Sequence, residues 1–387
     1  MSATLAESGW SPPPFRQFIL KVHSRCNLSC DYCYVYEMAD QSWQRRPTVM
    51  SPEILEQAAR RIAEHAVAHG LDEVEIVFHG GEPLLAGAPY LDRAATTLRR
   101  VIPCRVRMTV QTNGLLLSDA MLRVLAEHEI SVGVSMDGGR EAQDRHRVYA
   151  SGRGSYSRVA ARLRKLLDEP YRPLFGGILC TIDVANDPVD VYESLLEFQP
   201  PGIDFLLPHG NWTEPPPGLS PGSTATPYAD WLIAIFDRWY GAPEMETNVR
   251  LFQEIMNLLF GGQSRSESIG LSPITLLVID TDGTIEQVDT LKSAFDGAAE
   301  TGLDVLGGDF DTALGHHSLL ARQVGLGALS ETCMACPVRD VCGGGYYPHR
   351  YRAGTGFRNP SVFCADLFKL ITHIRERLLH DVRSLSA

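Results

Sequence analysis

Across residues 18–209 short β-rich runs alternate with amphipathic segments, and few architectures accept such an alternation. The runs are FILKVHS (18–24), EVEIVFHG (73–80), RVRMTVQTN (105–113), SVGVSMD (131–137), LFGGILCTI (174–182) and IDFLLPH (203–209). Between them, apolar residues recur at three- and four-residue spacing, the period of a helix with one buried face. One such helix is predicted to start at Ser51, an N-cap residue, with Pro52 at the first helical position. Others are predicted over 90–101, 118–128, 156–168 and 188–198. Strands and helices alternating in this way form parallel βα units. Six units predict an α/β fold, an open partial (β/α)6 TIM-like barrel, with chemistry at the C-terminal ends of its strands.

The unusual residues fall at those ends. The stretch KVHSRCNLSCDYCYVYE (21–37) follows the first strand, and His79-Gly80-Gly81-Glu82-Pro83 follows the second. Thr112-Asn113-Gly114 ends the third, and Ser135-Met136-Asp137-Gly138 ends the fourth. Cys26, Cys30 and Cys33 have three and then two residues between them. Three thiolates so spaced can hold three irons of a cubane [4Fe–4S] cluster and leave one iron open to a small molecule. A structural zinc would need a fourth ligand, which His23 could supply. Cys104 and Cys180 lie outside these clusters and read as small buried apolar residues.

Beyond the alternation, TEPPPGLSPG (213–222) reads as a surface loop, followed by two amphipathic helices over 226–240 and 248–262. The segment 274–292 reads as a hairpin turning at Asp282-Gly283. Cys333, Cys336 and Cys342 then have two and five residues between them, and Cys364 follows. Four thiolates make a closed site for zinc or for a fully ligated [4Fe–4S] cluster, and spacing does not choose between them. The expected organisation is a tail (1–16), a barrel core (17–212), a loop with linking helices (213–272) and a cysteine-bearing domain with a C-terminal helix (273–387).

The formal net charge of −12 excludes a general nucleic-acid binder, which needs a basic face. No apolar run approaches the ~20 residues of a membrane span, and the N-terminus lacks the pattern of an export signal. Nine cysteines without such a signal point to thiols or metal ligands in the cytoplasm.

The first cysteine stretch, with Tyr32 before Cys33, resembles the motif of the radical S-adenosylmethionine (SAM) enzymes. That resemblance implies a SAM-binding [4Fe–4S] cluster on Cys26, Cys30 and Cys33. It also implies that Gly80, Gly81 and Glu82 receive the methionyl amino group, and that Asn113 and Ser135 belong to the SAM site. Arg147 would clamp the SAM carboxylate, while Tyr32 and Leu179 would pack near adenine. The C-terminal cysteines resemble a SPASM extension and imply one auxiliary [4Fe–4S] cluster on Cys333, Cys336, Cys342 and Cys364. A full SPASM domain holds two such clusters, but here its further cysteines fall at Val288 and Tyr346.

From about Pro14 to Leu370 the chain resembles the FxsB-type peptide maturases, through VFHGGEPLL, DFLLPHGNW, TPYADWL and CGGGYYPHRYRAG. The resemblance implies an enzyme that acts on a ribosomally made precursor peptide. It would join an aromatic ring carbon to the β-carbon of a residue two positions on, giving a three-residue cyclophane. Electrons would come from an external donor of flavodoxin or ferredoxin type. Asp289 is the expected proton acceptor, with His349 as the alternative. A sulfatase-type maturase, oxidising one cysteine or serine to formylglycine, is the competing enzymatic expectation; a non-catalytic electron carrier is the other. About seventeen residues precede the first strand, too few for a winged leader-binding domain. Leader recognition is therefore expected in the barrel, the extension or a separate protein.

Overall fold

The computed structural model describes residues 10–220 and 223–385, so the tip of the proline-rich loop lies outside the described residues. The chain forms two compact units. Unit 1 comprises Met1–Met136, Gln143–Ile178 and Ile274–Gln323; unit 2 comprises Asp137–Ala142, Leu179–Pro273 and Val324–Ala387.

The strands are β1 (Gln17–His23), β2 (Glu73–Gly80), β3 (Arg105–Thr112), β4 (Ser131–Ser135), β5 (Phe175–Thr181), β6 (Gly202–Leu206), β7 (Asn248–Val249), β8 (Leu276–Ile279), β9 (Thr284–Glu286) and β10 (Glu300–Asp304). In unit 1 the hydrogen-bonded order is β10-β9-β8-β1-β2-β3-β4. Strands β1 to β4 pair in parallel, with Ile19 opposite Val77 and Val110 opposite Val132. The central strand β1 buries Phe18, Leu20 and Val22 completely, and β2 buries Val74, Ile76 and Phe78 to within 1%. Each such side chain contributes ~1.5–3 kcal/mol of hydrophobic stabilisation.

The connecting helices are α1 (Pro52–Ala68), α2 (Ala88–Val101), α3 (Asp119–Glu127), α4 (Arg140–His146), α5 (Tyr156–Leu167) and α6 (Pro188–Leu196). Ser51 caps α1 as expected, its hydroxyl accepting the Ile54 N–H at 3.2 Å. Helix α4 is absent from the sequence reading because REAQDRH carries no apolar period. The α/β class and the mostly parallel sheet are as expected.

The hairpin departs from expectation in its company rather than its form. Strand β8 runs parallel to β1, placing Val278 opposite Ile19, so residues 274–323 pack in unit 1 and not with the C-terminal cysteines. The sequence reading stopped at two strands, but β10 pairs antiparallel with β9 as a third.

In unit 2, the end of β5 bonds to β6 (Ile182 N–H to Leu206 O, 2.9 Å), and β6 pairs with β7. Helices α7 (Pro227–Tyr240) and α8 (Arg250–Leu259) bury Tyr228, Trp231, Phe236, Trp239 and Phe252, so their aromatics are core. The long C-terminal helix α9 (Cys364–Leu385) is fixed to α7 by Asp366. That carboxylate accepts the N–H groups of Tyr228 and Ala229, both at 2.9 Å, at the N-terminus of α7. Among the described residues no helix is long and apolar enough to cross a membrane.

Candidate active site

The cysteine loop of unit 1 leaves the end of β1 and is shaped by its neighbours. Gly81 N–H bonds to His23 O at 2.9 Å and Glu82 N–H to Arg25 O at 3.0 Å, continuing the β1–β2 pairing past the strand ends. A Cβ on Gly80 would lie 2.1 Å from His23 O, and one on Gly81 would lie 1.8 Å from the Tyr36 hydroxyl. Both glycines are therefore required by the close approach of the cysteine loop itself, a nearer cause than approach to a ligand.

Glu82 also differs from expectation. It is fully buried, and its carboxylate accepts from Thr112 Oγ1 (2.7 Å), Leu84 N–H (3.0 Å) and Asn113 N–H (2.8 Å). Burial pushes its pKa up to about 7, against those three donors. The side chain joins the ends of β2 and β3. Asn113 passes the restraint onward: its Nδ2 donates to Asn27 Oδ1 at 2.8 Å and approaches Cys26 Sγ at 3.7 Å.

Cys26, Cys30 and Cys33 are half-buried. Burial, helped by the charges of Glu82 and Cys30, pushes the Cys26 thiol up to about 11. Cys33 is raised chiefly by burial and also by Cys26, while Arg147 pulls it down. Arg147 is 9% exposed, so it is no solvated surface residue, and its guanidinium lies 5.5 Å from the Tyr32 ring centroid. Ser29 N–H bonds to Val148 O at 2.8 Å and Asp31 bonds to His146, so the segment after α4 grips the cysteine loop. Ser135 accepts from Gln111 Nε2 at 2.9 Å at the end of β4. Leu179 is half-buried on the part of β5 that belongs to unit 2.

A buried charged cluster, missed in the sequence reading, adjoins the same strand ends. Lys21 Nζ lies 3.0 Å from Asp280, 3.5 Å from Asp289 and 3.8 Å from Glu286. Lys292 meets Glu286 at 3.0 Å and Asp280 at 3.7 Å, and Arg46 meets Glu286 at 3.3 Å. Burial pushes Glu286 up to about 7, whereas Asp280 is held below the usual range because Lys21 and Lys292 outweigh its burial. Asp289 sits between Lys21 and His79, whose Nδ1 is 3.8 Å away, and neither of its oxygens receives a hydrogen bond. The signal available in the sequence was Lys21 itself, a charge in the middle of an apolar strand.

In unit 2, Ser330 caps a helical turn (Glu331–Met334) through the Cys333 N–H, and Cys336 N–H bonds to Cys333 O. Gly343, Gly344 and Gly345 all have positive φ after Cys342, and Arg350 ties the turn by donating to Gly343 O and Gly345 O. Burial and then the charge of Cys364 push Cys342 up to about 12. Cys364 is raised by burial and then by Cys333 and Cys336, so the four thiols share one neighbourhood. His349 is 2% exposed with both ring nitrogens unbonded, packed on Phe363 at 4.9 Å. Cys180 is fully buried and Cys104 half-buried.

Both thiol sets suit a cluster better than a single ion. A tetrahedral zinc at ~2.3 Å from each sulfur draws its ligand atoms within about 4 Å of one another. Among the described residues, the group of potential ligand atoms gathered within 4.8 Å is His65, His69 and Asp311, and neither cysteine set is drawn so close. A cubane holds its thiolates farther apart, on separate irons. The histidine group is itself satisfied without metal. His65 Nε2 accepts the Phe15 N–H at 3.0 Å, which puts the proton on Nδ1, facing Asp311 at 3.0 Å.

Comparison with known proteins agrees with this geometry. Residues 20–194 match the model of the radical SAM superfamily. A cysteine-type anaerobic sulfatase-maturating enzyme of Clostridium perfringens is 26% identical over 285 residues, 72% of this chain and 75% of the relative. A serine-type counterpart of Klebsiella aerogenes is 27% identical over 368 residues, 90% of this chain and 84% of the relative. The structure described as native anSMEcpe with bound AdoMet superposes with a TM-score of 0.81 at 21% identity, covering 95% of this chain and 99% of that one. Streptococcus suis SuiB bound to precursor peptide SuiA gives 0.58 at 12% identity, covering 94% and 78%. The match identifies a radical SAM enzyme with SAM and a SAM-binding [4Fe–4S] cluster as cofactors, and the C-terminal cysteines are compatible with an auxiliary cluster. Its named relatives here are sulfatase-maturating enzymes rather than FxsB-type maturases.

Proposed function

We propose that this radical SAM enzyme is a cytoplasmic peptide maturase of FxsB type. It joins an aromatic ring carbon to the β-carbon of a residue two positions on in a ribosomally made precursor, with a flavodoxin- or ferredoxin-type donor. The observation that carries this reading is the pair Val288 and Asp289. An apolar residue, 5% exposed, stands where a second auxiliary cluster would take a cysteine, and a buried carboxylate with open oxygens stands beside it.

When bound, the clusters would supply one-electron chemistry: Cys26, Cys30 and Cys33 would hold the one that reduces SAM, and Cys333, Cys336, Cys342 and Cys364 would hold the one that takes up the electron released at the close. The peptide loses two hydrogens. One would leave the β-carbon as a hydrogen atom, taken up by the carbon that SAM supplies. The other leaves the ring as a proton, once the new carbon–carbon bond has formed and the electron has departed. Asp289 is the acceptor of that proton. Arg147 holds the SAM carboxylate through a charge-assisted pair, Tyr32 packs against Arg147, and Asn113 fixes the loop bearing Cys26.

A second reading, oxidation of one cysteine or serine to formylglycine, is favoured by the sulfatase-maturating relatives. Co-expression with the small reading frames flanking the gene separates the two by tandem mass spectrometry. A serine oxidised to an aldehyde also loses two hydrogens, so the mass alone does not decide. A cyclophane suppresses fragmentation between the joined residues and ignores hydrazide reagents; formylglycine fragments normally and reacts. A hydrazide-reactive product overturns the proposal in favour of the second reading.

A further inference from the structure

Asp289 has an unusual setting for a carboxylate. Its side chain is 6% exposed, and neither oxygen accepts a hydrogen bond. A buried carboxylate left alone takes up a proton, because low dielectric penalises its charge. Once protonated, it cannot serve as a base. A base at this place therefore needs a neighbouring positive charge that leaves its lone pairs unoccupied.

The groups around it come from every element packed there. His79 of β2 approaches Oδ2 at 3.8 Å, but burial lowers its pKa, so it brings little positive charge. Glu286 of β9 adds negative charge, which opposes ionisation. Lys292 and Arg46 are directed at Glu286 and Asp280. Lys21 of β1 remains. Its short hydrogen bond, 3.0 Å, goes to Asp280 Oδ2, and it stands 3.5 Å from Asp289 Oδ1. At that separation it offsets charge strongly, yet no hydrogen bond to Asp289 forms.

We infer that Lys21 is a positioning residue for Asp289: anchored on Asp280, it sets a positive charge beside the neighbouring carboxylate while leaving both its oxygens open to a proton. The inference rests on the reading of Asp289 as proton acceptor. It gives the charged cluster a task beyond joining β1 to the hairpin. Asp280 fixes the ammonium, the ammonium fixes the charge on Asp289, and the proton lands on an oxygen that no donor blocks.

The test is an infrared titration of the Asp289 carboxyl band in reconstituted holoenzyme, the band being assigned by its loss in Asp289→Asn. This readout requires no peptide. Removing an adjacent cation shifts a carboxylate by ~1–3 pH units. Lys21→Met should move the Asp289 titration upward by that amount, and Lys21→Arg should leave it near wild type. Because Lys21→Met leaves the cluster with excess negative charge, Lys21→Met/Asp280→Asn serves as a second variant, losing one charge of each sign. With the co-expressed precursor, the acid limb of the ratio of crosslinked peptide to 5′-deoxyadenosine should shift upward with the band. An unchanged titration in both Lys21→Met variants overturns the inference and leaves Asp289 as the acceptor. A wild-type product ratio in Asp289→Asn overturns the acceptor reading itself, whatever Lys21 does.

Discussion

The Glu82 carboxylate accepts the backbone N–H of Asn113 at 2.8 Å, and the Asn113 side chain in turn reaches Asn27 and Cys26. A fully buried acid after β2 thereby sets the position of a cluster ligand after β1, through a residue at the end of β3. The three strand ends act as one frame, and several consequences can be measured.

Iron content follows from the two thiol sets. Anaerobically reconstituted protein should hold about eight irons, in two four-iron clusters. Replacing Cys26, Cys30 and Cys33 together by Ala should leave about four. A count near twelve would restore a second auxiliary cluster, and stoichiometric zinc would remove the one assigned to unit 2.

Gly81→Ala should strike the same site without touching a ligand. The added carbon would lie 1.8 Å from the Tyr36 hydroxyl and 2.6 Å from Arg25 backbone atoms, so the cysteine loop must move. Overpacking of this kind costs ~1–3 kcal/mol. Iron should fall by about four while the C-terminal cluster stays; full iron with wild-type stability would show that the loop yields freely.

Arg147→Ala should weaken SAM binding and spare both clusters. A charge-assisted pair contributes ~1.5–3 kcal/mol, or roughly ten- to a hundred-fold in affinity. Equilibrium binding of SAM to the reconstituted protein measures this directly. Unchanged affinity would place Arg147 outside the SAM site.

Asp289→Asn keeps the shape and removes the base. Deoxyadenosine should still form with reductant and precursor, while crosslinked peptide falls at least ~100-fold, within the usual range for loss of a general base. Parallel loss of both products would place Asp289 earlier, in holding the peptide. If neither falls, His349, buried with both ring nitrogens open, is the next candidate.

Acid should loosen the segment before β1. His65 is pushed below its ordinary value of 6.5 by burial and by His69, against the pull of Asp311. The folded chain thus keeps His65 neutral to lower pH than the unfolded chain does. Its contribution to stability is complete above 6.5 and is lost as pH falls through the lower folded value. Protonating Nε2 also forfeits the acceptor of the Phe15 N–H. Hydrogen-exchange protection at Phe15 should fall with pH below 6.5. His65→Leu should cost ~1–3 kcal/mol at neutral pH and flatten that dependence. A steep fall persisting in His65→Leu would assign the acid sensitivity elsewhere.

Much of the frame was legible because its signals are local. FILKVHS, EVEIVFHG and RVRMTVQTN are apolar runs bounded by turn residues, and Ser51 with Pro52 marks a helix start wherever it occurs. The cysteine spacings speak for themselves. What stayed hidden depends on distance along the chain. Lys21 and Asp280 are 259 residues apart, and nothing near either announces the other. The parallel pairing of β8 with β1 left the hairpin looking like part of the C-terminal extension. Strand β10, with Gly302 at its centre and alternate residues exposed, carries too few apolar side chains to stand out. The donors to Glu82 were hidden for another reason: a carboxylate beside two glycines suggests a ligand, and only packing reveals that three protein donors bond it.

The pairing of β8 with β1 also bears on how the molecule is made. During synthesis the first strand emerges early, yet one of its edges and the ammonium of Lys21 have no partners until residues 276–289 have left the ribosome. Until then that lysine must keep its water, and the sheet ends at an open edge. A nascent chain halted before the hairpin should remain a client of chaperones.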